Sequence, residues 1–359
     1  MPSQVGPLPH QLGLRMPAEW APHAATWMSW PFDEEMWWGK LSEVRREYAD
    51  LVRTIARFEP VHLLLRDDEA VESAKAALKG VGNVLMHRVP LDDVWLRDNG
   101  AIFVLPRPGF VGQGGEPGTA MINWGFNAWG GKYDWEQDNQ VPLAMASLLG
   151  QPRIDADLIM EGGSLDVNGA GLCLTTEQCL LTPTRNPGFG KEQLETYLRD
   201  YLGITQVVWL RQGLEGDHTD GHVDTISRFT GPTTVVTSVP VAGTSSNDPN
   251  IATMRENLEI LQQVRLPSGE PLTVLELPLP EEPLALADGQ RLPATYANFY
   301  VLNDAVIVPQ YGDAQDDQAL QVLKKAFPDR QVIGLSSRYL ITGGGSFHCL
   351  TQQQPKAFL

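Results

Sequence analysis

The feature that most constrains this chain is a loose internal recurrence: paired β-like runs, an amphipathic helix, then another apolar β run, five times over. The first copy runs from ATWMSW (25–30) through the helix 41–58 to VHLLL (61–65), with Leu41, Val44, Tyr48, Leu51, Ile55 and Phe58 at helical spacing. A second has a helix near 70–79, then AIFVL (101–105), a helix around 138–149 and DADLIM (155–160). In the third, 164–183 reads as two strands around an Asn168-Gly169 turn, followed by a helix at 190–202 and VVWL (207–210). The fourth turns at Gly231-Pro232 and continues through a helix at 251–264 to LTVLELPL (272–279). The fifth runs from ANFYVLNDAVIVPQY (297–311) through a helix near 314–326 to QVIGLS (331–336).

A repeat of roughly 60–70 residues that contains both strands and a helix predicts radially arranged α/β modules in one domain over residues 1–359, not a string of independent domains. Loops downstream of the closing strands should then converge on one axis. Dense polar clusters occupy such places: LDDVWLRDNG (91–100), EGGS (161–164), EGDHTDGHVD (215–224) and TGGGSFHC (342–349).

Cys349 stands out because glycines precede it, letting backbone approach a ligand closely. A thiol of ordinary pKa is mostly protonated at neutral pH and needs a cationic partner or a cationic substrate to ionise. His348 is adjacent, but strand parity would turn it the other way, so His222 is the better candidate for acid/base work. Asp220, His222 and Asp224 alternate as they would on one strand face. Cys173 and Cys179 read as structural thiols inside strands, and no local spacing completes a zinc site around His222. Asp98, Glu161 and Asp224 around one thiol and one imidazole would repel one another if empty. They suit a planar cation with several N–H donors, such as a guanidinium, with Trp95 and Trp30 as candidate apolar or cation–π walls.

The motifs MPAEWAPHAATWMSWP (16–31), WLRDNG (95–100), NWGFNAWGGKY (123–133), EGGSLDVNG (161–169), TDGHVD (219–224), NFYVLNDAVIVPQYGD (298–313) and GGGSFHCLTQQQP (343–355) together resemble the agmatine deiminase family. The resemblance covers almost the whole chain in order. It implies the pentein fold, a five-bladed pseudo-symmetric α/β propeller. It also implies Cys349 as nucleophile, His222 as acid/base, Glu161 as its carboxylate partner, and Asp98 and Asp224 as grips on the guanidinium nitrogens. The implied reaction hydrolyses agmatine to N-carbamoylputrescine and ammonia through an S-amidino cysteine, within polyamine biosynthesis and without cofactor or metal. Thr225 follows Asp224 where many members carry asparagine, and the stretch 215–218 is a candidate contact for the far end of the substrate.

The formal charge of -17 disfavours nucleic acid, which is held by basic patches, and favours small cations. Residues 1–20 pair no basic region with an apolar one and no apolar run approaches a membrane span, so the expectation is a cytoplasmic protein. Homo-oligomerisation is left open. The alternatives are a free-arginine deiminase, which would need a basic clamp from Arg97 or Arg185, a peptidylarginine deiminase, and a non-catalytic polyamine-binding protein. Arg97 beside Asp98 reads as structural.

Overall fold

The computed structural model describes residues 7–107, 118–242, 244–245 and 247–357; the part of the leader expectation that falls on residues 1–6 lies outside them. The strands form five separate sheets. The third, fourth and fifth are alike: an antiparallel pair, then a helical crossover to a parallel strand. They comprise Asp166–Val167, Leu172–Thr176 and Gln206–Leu210; Ser227–Gly231, Thr234–Val239 and Thr273–Pro278; and Tyr300–Val301, Ala305–Gln310 and Gln331–Ser336. The helices Lys191–Leu202, Asn250–Gln263 and Asp316–Ala326 make the crossovers, as a parallel connection requires. Each lies within two residues of its expected bounds.

The second sheet has the same core of Ile102–Pro106, Ala120–Gly125 and Arg153–Ile159, crossed by the helix Val141–Leu149 and edged by Leu14–Arg15. The first sheet is ordered Thr351–Pro355, His23–Ser29, Val61–Leu65, Val84–Arg88. Its antiparallel partner therefore comes from the far end of the chain, with Thr351 opposite Met28. The helix Asp68–Ala77, assigned to the second module from sequence, belongs here: it connects Val61–Leu65 to Val84–Arg88. Asp67 caps it by accepting the Ala70 N–H.

Apolar periodicity decides how the helices pack. In Leu41–Ile55 the buried set includes Val44, Tyr48, Leu51 and Ile55. Their side chains pack in one cluster with Leu63 and Leu65 of the adjoining strand. The helix Lys191–Leu202 buries Leu194, Leu198 and Leu202 and ends at Gly203, whose φ of +71° supplies the left-handed turn a side chain would resist. Trp30, expected at the site, is instead core: it is fully buried, meets Tyr48 edge-on and donates its indole N–H to Ser73. No helix of the described residues is long and apolar enough to cross a membrane.

Candidate active site

Five loops, one after the last parallel strand of each sheet, carry the candidate residues. Asp98 sits in the one-turn helix Leu96–Asn99 after the first sheet, and Glu161 precedes the turn Gly162–Ser164 after the second. His222 and Asp224 flank the start of Val223–Thr225 after the third. Asn298 follows the fourth, and Cys349 the fifth. Four of these loops were legible as polar clusters; the fifth was not.

Cys349 Sγ lies 3.1 Å from Asn298 Nδ2 and 3.6 Å from Asp224 Oδ2. Asn298 also holds the loop of Cys349, because its Oδ1 accepts the backbone N–H groups of Ser346, His348 and Cys349. His222 is fully buried, with Nδ1 3.7 Å from Asp98 Oδ1 and Nε2 3.9 Å from Glu161 Oε2. Both distances exceed a hydrogen bond. His222 Nδ1 and Nε2, Glu161 Oε2 and Asp224 Oδ1 are buried without hydrogen-bond partners. Native interiors rarely leave such atoms unpaired unless a ligand or water is to meet them.

Glycine shapes the floor. A side chain at Gly163 would bring its Cβ to 2.6 Å from His222 Nδ1 and 2.7 Å from Asp98 Oδ1. The Gly163 N–H instead donates to Asp98 Oδ1, while Trp129 Nε1 donates to Oδ2. At Gly345 a Cβ would meet Trp95 at 2.7 Å and Cys349 Sγ at 3.1 Å, which makes Trp95 and the thiol neighbours.

Electrostatics follow from burial and crowding. Burial pushes the Asp98 carboxyl up to about 6; His222 opposes the rise, and Asp224 and Glu161 add to it. Burial likewise pushes the Cys349 thiol well above its ordinary value; Asp224 and Asp98 add to the rise and the Asn298 N–H opposes it. His222 goes the other way. Burial pulls its pKa down, but Asp98, Cys179 and Glu161 together carry it well above the ordinary value. Burial would raise Glu161, yet His222 and Arg185 hold it below its usual range.

Several sequence expectations change. Asp220, His222 and Asp224 do not share a strand face: Asp220 has φ +66° and Gly221 φ +88°, so a tight turn redirects the chain, and Asp220 pairs with Lys132 and Arg185. Cys349 lies in a turn, so strand parity does not apply to His348. That imidazole lies between Asp224 Oδ2 at 2.6 Å and Glu19 Oε2 at 2.9 Å, fixing Asp224 beneath the thiol. Cys179 lies in the short helix Glu177–Leu180 and not in a strand. Thr225 donates its hydroxyl to the His222 carbonyl. Asn298, Glu19 and Trp129 were missed as site residues, although Asn298 opens the quoted motif 298–313 and Trp129 lies inside 123–133.

Both arginines considered as carboxylate clamps hold partners within the fold, with only Arg97 Nη2 of the two buried without one. Arg185 Nε binds Glu161 Oε1 at 2.8 Å, and Arg97 binds Gln353 and the His348 carbonyl. Towards solvent, a cavity of about 440 Å³ opens in front of Trp95 and Trp129. Asp33, Glu35, Asp92, Asp93 and Asp134 line it, with His218 but no lysine or arginine. Of the stretch 215–218, His218 therefore reaches the cavity, while Glu215 lines a different, smaller one. Among the described residues one trio offers metal-ligating atoms close together, Glu161, Cys179 and His222, all within 4.8 Å of one another. The fold brings in the cysteine that local spacing around His222 could not supply.

A family model described as Porphyromonas-type peptidyl-arginine deiminase matches residues 15–355. The agmatine deiminase of Stutzerimonas stutzeri (strain A1501) is 36% identical over 375 residues, covering 98% of both chains. A solved structure of the Enterococcus faecalis agmatine deiminase, described as catalysing its reaction, superimposes with a TM-score of 0.89 at 31% identity over 99% of each chain. A variant of C. jejuni agmatine deiminase with substrate bound gives 0.85 at 31% identity, over 96% of this chain and 97% of that one. An amidinotransferase from Microseira wollei shares the mixed α/β fold alone, at 12% identity and TM-score 0.53, over 97% and 99% of the two chains.

Proposed function

This chain belongs to the Porphyromonas-type peptidyl-arginine deiminase family, and on that premise we propose that it is an agmatine iminohydrolase, forming N-carbamoylputrescine and ammonia. The observation that carries the reading is the convergence of Cys349, His222, Asp98, Glu161 and Asp224 beside Trp95 and Trp129, which line a cavity whose charged lining is acidic. A guanidinium supplies the N–H donors that the orphaned carboxylate oxygens lack, and its positive charge offsets their repulsion.

Asp98 and Asp224 grip the guanidinium nitrogens, placing its carbon over Cys349 Sγ. The cation favours ionisation of a thiol that burial and carboxylates otherwise keep protonated. The thiol gives its proton to solvent, and the thiolate adds to the guanidinium carbon. Collapse breaks a C–N bond, and protonated His222, oriented by Glu161, gives its proton to the departing ammonia. Water then adds to the S-amidino carbon as His222 takes its proton, and the C–S bond breaks. The acidic cavity suits the second cationic end of agmatine, with Trp95 and Trp129 beside the methylene chain. We also read the five sheets as blades of one pseudo-symmetric propeller spanning the chain as a single domain, with the five loops on its axis.

Ammonia release from agmatine, free arginine and a blocked peptidyl arginine tests the reading. Agmatine should be turned over fastest, because Arg97 and Arg185 are both committed and no basic group lines the cavity for an α-carboxylate. Equal or better turnover of either arginine substrate overturns it. Intact mass of enzyme quenched during turnover should show an amidino adduct that Cys349→Ser abolishes. Agmatine binding with neither turnover nor adduct would instead identify a polyamine-binding protein.

A further inference from the structure

We propose that Glu161, Cys179 and His222 form a binding site for a soft divalent cation of the zinc type, through which such an ion switches the enzyme off. The two nitrogens of His222 divide the pocket. Nδ1 faces Asp98 and Nε2 faces Glu161 Oε2. Cys179 Sγ completes a triangle whose ligand atoms lie within 4.8 Å of one another. Tetrahedral zinc, with bonds of about 2.0–2.3 Å, sets its ligands roughly 3.3–3.8 Å apart, so each edge need close by no more than about 1.5 Å.

An independent observation points to a ligand there. All three side chains are buried, and both His222 nitrogens and Glu161 Oε2 have no hydrogen-bond partner. The donor set is thiol, imidazole and carboxylate, which selects a borderline-soft ion over calcium or magnesium. The scaffold also holds the ligands together. Thr176 Oγ1 accepts the Cys179 N–H and donates to the carbonyl of Gly221, the residue before His222. Arg185 anchors Glu161 by Oε1, leaving Oε2 free to ligate.

Arg185 also limits the site. Its positive charge beside Glu161 opposes a second cation, so the ion is a reversible occupant and not a resident cofactor. On binding, the Cys179 S–H bond breaks, a sulfur–metal bond forms and the proton leaves to solvent. Metallated at Nε2 and held by the ion, His222 no longer carries the proton that the departing ammonia needs. Turnover stops although Cys349 is untouched.

The inhibition arm of the test rests on the proposed deiminase reading; the optical arm does not. Zinc should inhibit agmatine turnover with one ion per chain, reversibly on adding EDTA. Cys179→Ala, measured against its own zinc-free rate, should need about 100-fold more zinc for the same fractional inhibition. Cys179→Ser, closer in size, serves the same comparison if the alanine variant does not fold. Cobalt(II) added to Cys349→Ser should give a sulfur-to-cobalt charge-transfer band that Cys179→Ala lacks. Equal zinc sensitivity of wild type and Cys179→Ala overturns the proposal. So does a band that follows Cys349 instead of Cys179, or no band in any variant. Failure of the wild type to turn over any guanidine would fell the deiminase reading and leave the cobalt band to judge the site alone.

Discussion

Two buried polar clusters lie back to back around Cys349, and they differ in how completely the protein satisfies them. Behind the thiol, Arg228 binds Asp166, Glu19 and the carbonyls of Ala297 and Phe299, and Glu19 also accepts from His348 and the Val301 N–H. In front of it, His222, Glu161 and Asp224 leave atoms unpaired, and like charges press on Asp98. Burial does not separate the two clusters; satisfaction does. The rear cluster finds its partners within the chain and acts as scaffold, whereas the front one is arranged for partners that a ligand must bring.

The sharpest way to break this contrast is to remove the nucleophile. Cys349→Ser should lower kcat by at least about 10⁴-fold, or roughly 5.5 kcal/mol, with no loss of thermal stability. Ammonia release and melting curves would check both. A comparable loss of stability would mean that the front cluster is scaffold too. Arg228→Met is the converse test. It strands Glu19 and Asp166 and should cost about 3–5 kcal/mol of stability by denaturant unfolding. A variant as stable as the wild type would erase the distinction.

Asp98→Asn should lower kcat/KM by about 2–5 kcal/mol while folding stability holds or rises. Burial and its neighbouring carboxylates push the folded Asp98 up to about 6, above its unfolded value. Its contribution to stability is therefore full at pH values below the unfolded pKa and is lost as pH rises through about 6. Grip on a guanidinium needs the ionised form, so kcat/KM should fall about tenfold per pH unit below that point in wild type. Loss of this limb in the asparagine variant would assign it.

Asn298→Ala should lower kcat by about tenfold, roughly 1.4 kcal/mol, by removing the N–H that opposes the rise of the Cys349 pKa. Alkylation of the free enzyme by iodoacetamide, already slow at neutral pH, should then need still higher pH. The smallest effect is expected for Trp30→Phe. It removes the bond to Ser73, costs about 1 kcal/mol of stability and leaves KM for agmatine unchanged.

The sequence made the helices and parallel strands legible because their apolar spacing is regular, as in Leu41–Ile55. The segment after Cys349 reads as β-like, and what the sequence hid is its partner, because the strand Thr351–Pro355 pairs with His23–Ser29 at the other end of the chain. In the fold, Gln352 is buried against the Ala101 carbonyl and Gln354 binds the Trp27 indole. At the site, Cys349, His222, Glu161, Asp98 and Asp224 were legible from their chemistry, whereas of the two tryptophans on the cavity wall Trp95 was foreseen and Trp129 was not. The supports were not legible, because support is a long-range matter. His348 was set aside by a parity rule that a turn voids, and Glu19 reaches it from the other end of the chain. Trp30 misled in the opposite sense, since a tryptophan that packs a core and one that walls a ligand look alike until the partners are known.

The strand Thr351–Pro355 begins just after Cys349 and pairs with His23–Ser29. Synthesis from the N-terminus delivers Asp98, Glu161, His222, Asp224 and Asn298 first, the thiol after them, and only then the strand that completes the first sheet. A chain interrupted earlier lacks the thiol and leaves a bare strand edge open to pairing or proteolysis. The thiol and completion of the sheet thus arrive in the same few codons, and unfinished chains lack both.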